Sequence, residues 1–152
     1  MKTLVNNNRL KNYNRSNNGA YFITICSYNC QSFLEDYKKL IDKELANLPS
    51  RFSGLTIDLS IVMPNHIHSI LILNNCKHDI PSIIRTFKSI TTIRIKRSGF
   101  DDFRVWHPDY YEHAIRDKQA LKKIREYINN NPLAEKPDWK SICNPYPKSL
   151  AW

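Results

Sequence analysis

A chain of 152 residues, 41% of them hydrophobic, suits one domain of ordinary size with a real core. No apolar run approaches the roughly 20 residues that cross a bilayer, and the polar start from Met1 to Gly19 lacks the apolar stretch of a secretory signal, so no membrane partner is expected and the cytoplasm is the expected compartment. Its 23 Lys and Arg outnumber its 14 Asp and Glu, giving a net charge of +9, and that balance favours a polyanionic partner because phosphates release condensed counterions when basic side chains neutralise them.

Residues 1–19 contain seven Asn alternating with basic residues such as Arg9 and Arg15 and read as a flexible polar arm. Tyr21 to Tyr28, rich in β-branched and aromatic residues, reads as a first strand. Phe33 to Leu48 carries apolar residues at helical spacing, with Pro49 ending the helix. Leu55, Ile57, Leu59, Ile61 and Met63 alternate with polar residues and are expected on one side of a second strand. Only Pro64 and Asn65 separate it from a third, His66 to Leu73, which predicts a tight central hairpin. Ile80 to Arg97 reads as a helix whose outer face carries Arg85, Lys88, Arg94, Lys96 and Arg97, with Gly99 as its stop. Phe103 to Trp106 looks like a short fourth strand. Asp117 to Asn131 is a strong helix, capped by Asp117 and closed by Pro132. Leu133 to Trp152 is a proline-rich tail expected to wrap the surface. Three regions follow: an arm (1–19), a domain (20–132) and a tail (133–152). The order strand, helix, strand, strand, helix, strand, helix predicts an α+β, ferredoxin-like antiparallel sheet with helices on one face plus an extra C-terminal helix.

The four cysteines, Cys26, Cys30, Cys76 and Cys143, form no Cys-x-x-Cys pair. They read as reduced, ordinary small residues rather than a zinc cluster. The chemistry lies elsewhere. His66 and His68 are two apart on a predicted strand, so both imidazoles point to one face and can reach one metal ion, with Ile67 pointing the other way. Two solvent-facing hairpin histidines would show the same spacing. Tyr127 lies late in the last helix, with Asn131 one turn on. A tyrosine can be a covalent nucleophile, and an amide oxygen beside it can bind a hard cation; half-buried packing and helix termination are the plainer roles. The segment Trp106 to Arg116 mixes aromatic and basic residues. Tyr110 and Tyr111 are rival nucleophiles there, ranked lower because a loop holds a nucleophile less firmly than a helix, and Tyr110 is also a candidate for stacking on unpaired bases. At least one of Trp106 and these tyrosines is expected to be a core anchor.

The segments VMPNHIHSILIL, WHPDYYEHAIRD and YINNNP resemble, in order and wording, the REP-associated tyrosine transposases, a branch of the single-tyrosine (HUH) insertion-sequence transposases. The resemblance spans roughly residues 19–132. It implies that His66 and His68 hold Mg²⁺ or Mn²⁺, that Tyr127 is the nucleophile, and that Asn131 is a third protein ligand. It implies an endonuclease and strand transferase that cuts single-stranded DNA next to a hairpin, leaving a 5′-phosphotyrosine and a free 3′-hydroxyl, as a monomer or a homodimer. The unusually Asn-rich arm departs from the family pattern. Arg9, Arg15, Arg85, Lys88, Arg94, Arg97, Tyr110 and Arg116 are the expected DNA contacts, on a basic surface that joins the face of the two histidines. The alternative is a ferredoxin-like domain that grips single-stranded nucleic acid without cutting it, although the first strand and the hairpin lack the glycine-and-aromatic pattern of an RNA-recognition motif.

Overall fold

A computed structural model describes residues 18–102 and 104–130. The arm up to residue 17, Phe103, Asn131 and the tail lie outside the described residues. The elements are β1 (Gly19–Cys26), α1 (Lys38–Arg51), β2 (Leu55–Val62), β3 (His66–Leu73), α2 (Ile80–Arg97), β4 (Tyr111–Ile115) and α3 (Lys118–Asn130), with two short 3₁₀ turns between β1 and α1. The strands form one sheet in the order β2-β3-β1-β4, every neighbouring pair antiparallel. This is the expected ferredoxin-like α+β arrangement. No helix among the described residues is long and apolar enough to cross a membrane.

Side-chain alternation along the strands splits the interior into two layers. Tyr21, Ile23, Ile25, Ile67 and Leu71 meet Ile41, Leu45 and Leu48 of α1 and Ile83, Ile84 and Phe87 of α2 on one face. On the other, Phe22, Ile70 and Tyr111 meet Ile124 and Ile128 of α3. The extra helix therefore covers the opposite face from α1 and α2. Glu44, buried between α1 and α2, receives Arg94 at 2.8 Å and Arg51 at 3.4 Å, which satisfies a carboxylate that would otherwise be costly to bury. The cap read from the sequence forms, Asp117 accepting from the Ala120 amide at 2.8 Å, and Asp79 caps α2 in the same way, accepting from the Ser82 amide at 3.0 Å.

Several local expectations are corrected. Pro49 lies inside α1, which continues to Arg51; a proline in a last turn removes few backbone bonds. The fourth strand is Tyr111–Ile115 and not 103–106, because residues 111–115 pair with Ala20–Thr24 while Trp106 makes only an isolated bridge to Ser27. The apolar residues of β2 do not share one side. The register shifts between Ile57 and Leu59, so Leu55 and Ile57 face α1 and α2, whereas Leu59 and Ile61 face α3. A bulge adds one residue to one strand and reverses the alternation beyond it. Cys26 and Cys76 are buried free thiols, whereas Cys30 is disulfide-bonded, against the expectation of reduced cysteines.

Candidate active site

The hairpin loop that precedes the histidines is held from several sides. Met63 N–H donates to the His66 carbonyl at 2.8 Å, Ser27 N–H to the Asn65 carbonyl at 3.0 Å, and Leu34 N–H to the Pro64 carbonyl at 2.9 Å. His66 thus begins its strand on backbone fixed by two neighbouring segments. His66 and His68 point to the α3 face, and Ile67 packs against α1 and α2, as their spacing predicts. The two rings lie 4.5 Å apart between centroids at 70°.

Both imidazoles are buried. Each is oriented through Nδ1: that of His66 lies 2.8 Å from Asn65 Oδ1, and that of His68 lies 2.9 Å from Thr24 Oγ1. An amide oxygen can only accept, so His66 Nδ1 carries the proton and its Nε2 bears a lone pair. Burial pushes the His66 pKa down to about 3, and burial followed by repulsion from His66 pushes that of His68 well below its ordinary value. Both rings are neutral at physiological pH. Their Nε2 atoms are buried and have no hydrogen-bond partner among the described residues.

Two bare, inward-held ring nitrogens whose opposite nitrogens are fixed by a second layer of partners have the chemistry of a donor pair that a metal ion could use. The residues fit a divalent ion. The described residues include no group of three or more His, Cys, Asp or Glu that could complete a site. Asn131, the expected third ligand, lies outside the described residues.

Tyr127 is brought to the same place. On α3 it packs beside Ile124 and Ile128 over the sheet. Its ring meets His68 at 5.3 Å and 64° and Phe22 edge-on at 6.3 Å. Phe22 also stacks on His68 at 5.2 Å, so one phenylalanine supports both the histidine and the tyrosine. The rival tyrosines are placed differently. Tyr110 is buried against the α1 and α2 layer and donates its hydroxyl to Glu112 at 2.7 Å. Tyr111 is buried on the α3 face, edge-on to Phe22 at 6.1 Å.

The expected DNA contacts on α2 do not adjoin the histidine face. The helix α2 packs on the sheet face opposite the histidines, which separates its basic stripe from them by the thickness of the sheet. Arg85 and Arg97 are exposed. Arg94 is tied to Glu44. Lys88 turns inward and donates to the carbonyls of His107 at 2.8 Å and Asp109 at 3.1 Å; desolvation lowers its pKa to about 8, so it staples the loop before β4. Tyr110 cannot stack on a base while it is buried. Arg116 is exposed at the end of β4, and Arg9 and Arg15 lie outside the described residues.

Thr24, Asn65 and Phe22 were not singled out from the sequence. Asn65 could have been, as the polar neighbour of His66. Thr24 and Phe22 are placed by the β1–β3 register, which pairs Thr24 with His68 and Phe22 with Ile70, and no local signal announces that pairing.

A four-stranded sheet of this order, with a bare histidine pair on its central strand and a tyrosine over it, defines the class. The chain matches the family model of IS200-like transposases over residues 15–131, and it belongs to that family. It is 34% identical to an uncharacterized protein of Haemophilus influenzae, over 86% of this chain and 89% of that protein. It is 27% identical to the REP-associated tyrosine transposase of Escherichia coli, over 86% of this chain and 75% of the relative. Its fold resembles that of a REP-associated tyrosine transposase solved bound to a REP hairpin, with a TM-score of 0.69 at 23% identity, covering 88% of this chain and 76% of the other. A putative transposase from Deinococcus radiodurans shares the fold with a TM-score of 0.53 at 19% identity, over 80% of this chain and 95% of the other.

Proposed function

We propose that this transposase cuts single-stranded DNA beside a hairpin through a covalent tyrosine intermediate, with Tyr127 as nucleophile and a divalent ion held by His66 and His68. The observation that carries this reading is the meeting of three groups on one sheet face: two neutral imidazoles with bare Nε2 atoms and the Tyr127 ring beside them. The partner follows from the family and from the hairpin bound by the structural neighbour.

The residues divide the work. Asn65 and Thr24 hold the imidazoles in place, leaving Nε2 for the ion. Asn131, four residues after Tyr127 in the sequence, is the proposed third ligand. Mg²⁺ or Mn²⁺ bound there would polarise the scissile phosphate and offset the charge that builds on its oxygens. The Tyr127 oxygen attacks phosphorus as the bond to the 3′-oxygen breaks, leaving a 5′-phosphotyrosine and a free 3′-hydroxyl. Because the phosphodiester is exchanged and not hydrolysed, a second 3′-hydroxyl can reverse the step and join a new strand. Phe22 keeps the tyrosine and His68 in register.

The test is incubation of end-labelled hairpin DNA carrying a single-stranded flank with the protein and Mn²⁺, followed by a denaturing gel. A covalent adduct that Tyr127→Phe removes, with binding near normal on a native gel, is the expected result. An adduct that persists in Tyr127→Phe would move the nucleophile to Tyr110 or Tyr111. Retardation on a native gel without any adduct would make the protein a binding module.

A further inference from the structure

The helix that carries Tyr127 is lightly attached. Of its 13 residues, only Ile124 and Ile128 are buried, and an isolated helix of that length is marginal in water. Its N-terminal end follows directly on β4 through Arg116 and Asp117. The half that bears Tyr127 lies away from that anchor, so its position depends on what it touches.

Among the described residues, a polar contact ties that half to the sheet. Arg125 donates through Nε to Asp58 Oδ2 at 2.9 Å and through a terminal nitrogen to Asp58 Oδ1 at 2.8 Å. This is a two-pronged pairing of guanidinium and carboxylate, which fixes orientation as well as distance. Asp58 is the extra residue of the β2 bulge, lying between Ile57, opposite Leu71, and Leu59, opposite Ile70. Bulges re-aim side chains and recur next to active sites. Here the same bulge turns Leu59 and Ile61 toward α3 and presents the Asp58 carboxylate to the helix.

We propose that the Asp58–Arg125 pair is a clamp that seats the C-terminal half of α3 and thereby positions Tyr127 over His68. Asp58 and Arg125 are positioning residues, acting through the helix and not on the DNA. The inference rests on Tyr127 being the nucleophile. The pair is half-exposed on the arginine side, so global stability owes it little. Its effect falls on the seating of a reactive group, where a displacement of about 1 Å can cost as much as about a hundredfold in rate.

The experiment compares the wild type, Asp58→Asn, Arg125→Lys, the charge-exchanged double variant Asp58→Arg/Arg125→Asp, and Tyr127→Phe. Each is mixed with saturating labelled hairpin DNA and Mn²⁺, and the single-turnover rate of adduct formation is read beside DNA affinity and hydrogen exchange of the α3 amides. Asp58→Asn and Arg125→Lys are expected to slow adduct formation by roughly tenfold or more, with affinity within about twofold and faster exchange confined to residues 121–130. The double variant is expected to recover most of the rate. Arg125→Lys keeps the charge and loses only the fork, so its slowing separates geometry from net charge. If the wild type forms an adduct, Tyr127→Phe forms none, and both single variants react within twofold of the wild type, the clamp is wrong and the nucleophile stands. If the wild type forms no adduct, the nucleophile assignment falls and the clamp's role falls with it.

Discussion

Acid should destabilise this fold through its buried histidine pair. In the folded chain His66 has a pKa near 3, and that of His68 is also far below its ordinary value, whereas an unfolded histidine titrates near 6.5. The folded state then binds fewer protons than the unfolded state below pH 6.5, so stability is lost as pH falls from about 6.5 toward about 3. Between about pH 7 and pH 5 an unfolded histidine goes from roughly one-quarter to almost fully protonated, and integrating that uptake gives about 2 kcal/mol for His66. His66 alone should therefore remove about 2 kcal/mol over that interval, with His68 acting in the same direction, a sizeable part of the roughly 5–15 kcal/mol that holds a typical domain together. The assay is urea unfolding followed by far-UV circular dichroism at the two pH values, with a chelator present so that no ion competes with the protons. His66→Asn should reduce the loss by about 2 kcal/mol, since the asparagine does not titrate. His113, whose pKa is lowered by burial and by Arg116, contributes equally to both proteins and cancels in the comparison. An identical pH-dependent loss in the wild type and in His66→Asn would refute the buried, neutral pair and with it the readiness of Nε2 to take a metal ion.

Two further outcomes follow from particular positions. Gly54 has a φ of +91°, and a Cβ there would meet the Asn74 carbonyl oxygen at 2.5 Å and the Cys76 amide nitrogen at 2.8 Å, whereas Gly99, at +109°, has open space around it. Gly54→Ala should therefore lower stability by about 2 kcal/mol or more and Gly99→Ala by about 1 kcal/mol, measured as chemical denaturation midpoints; equal losses would contradict the backbone clash. Charge reversal of the exposed Arg85 and Arg97 together should flatten the salt dependence of hairpin binding by about two units if the stem lies along α2. An unchanged slope would place the stem on the α3 side of the sheet.

The sequence by itself carried the parts of this protein that depend on local pattern. Alternation in β3 decided that His66 and His68 share a face, and apolar spacing located the three α-helices of the described residues. Asp117 announced its helix because an N-cap needs only an acceptor three residues before the amide it receives. The segments around His66, Trp106 and Tyr127 were enough to suggest the family that the family model then showed over residues 15–131. What depends on non-local pairing had no such signal. The bulge at Asp58 has no mark in the sequence, since one unpaired residue reverses the alternation beyond it without changing composition, and it moved Leu59 and Ile61 to the opposite layer from Leu55. The fourth strand shifted to Tyr111–Ile115 because β1 supplies its partners and the segment offers only five residues of its own. Lys88 and Arg94 read as free cations on a helical stripe until the tertiary structure set loop carbonyls around one and a buried carboxylate beside the other. Tyr110 read as a base-stacking residue for the same reason: a side chain's availability is decided by what packs against it, and residues far apart in the chain do that packing.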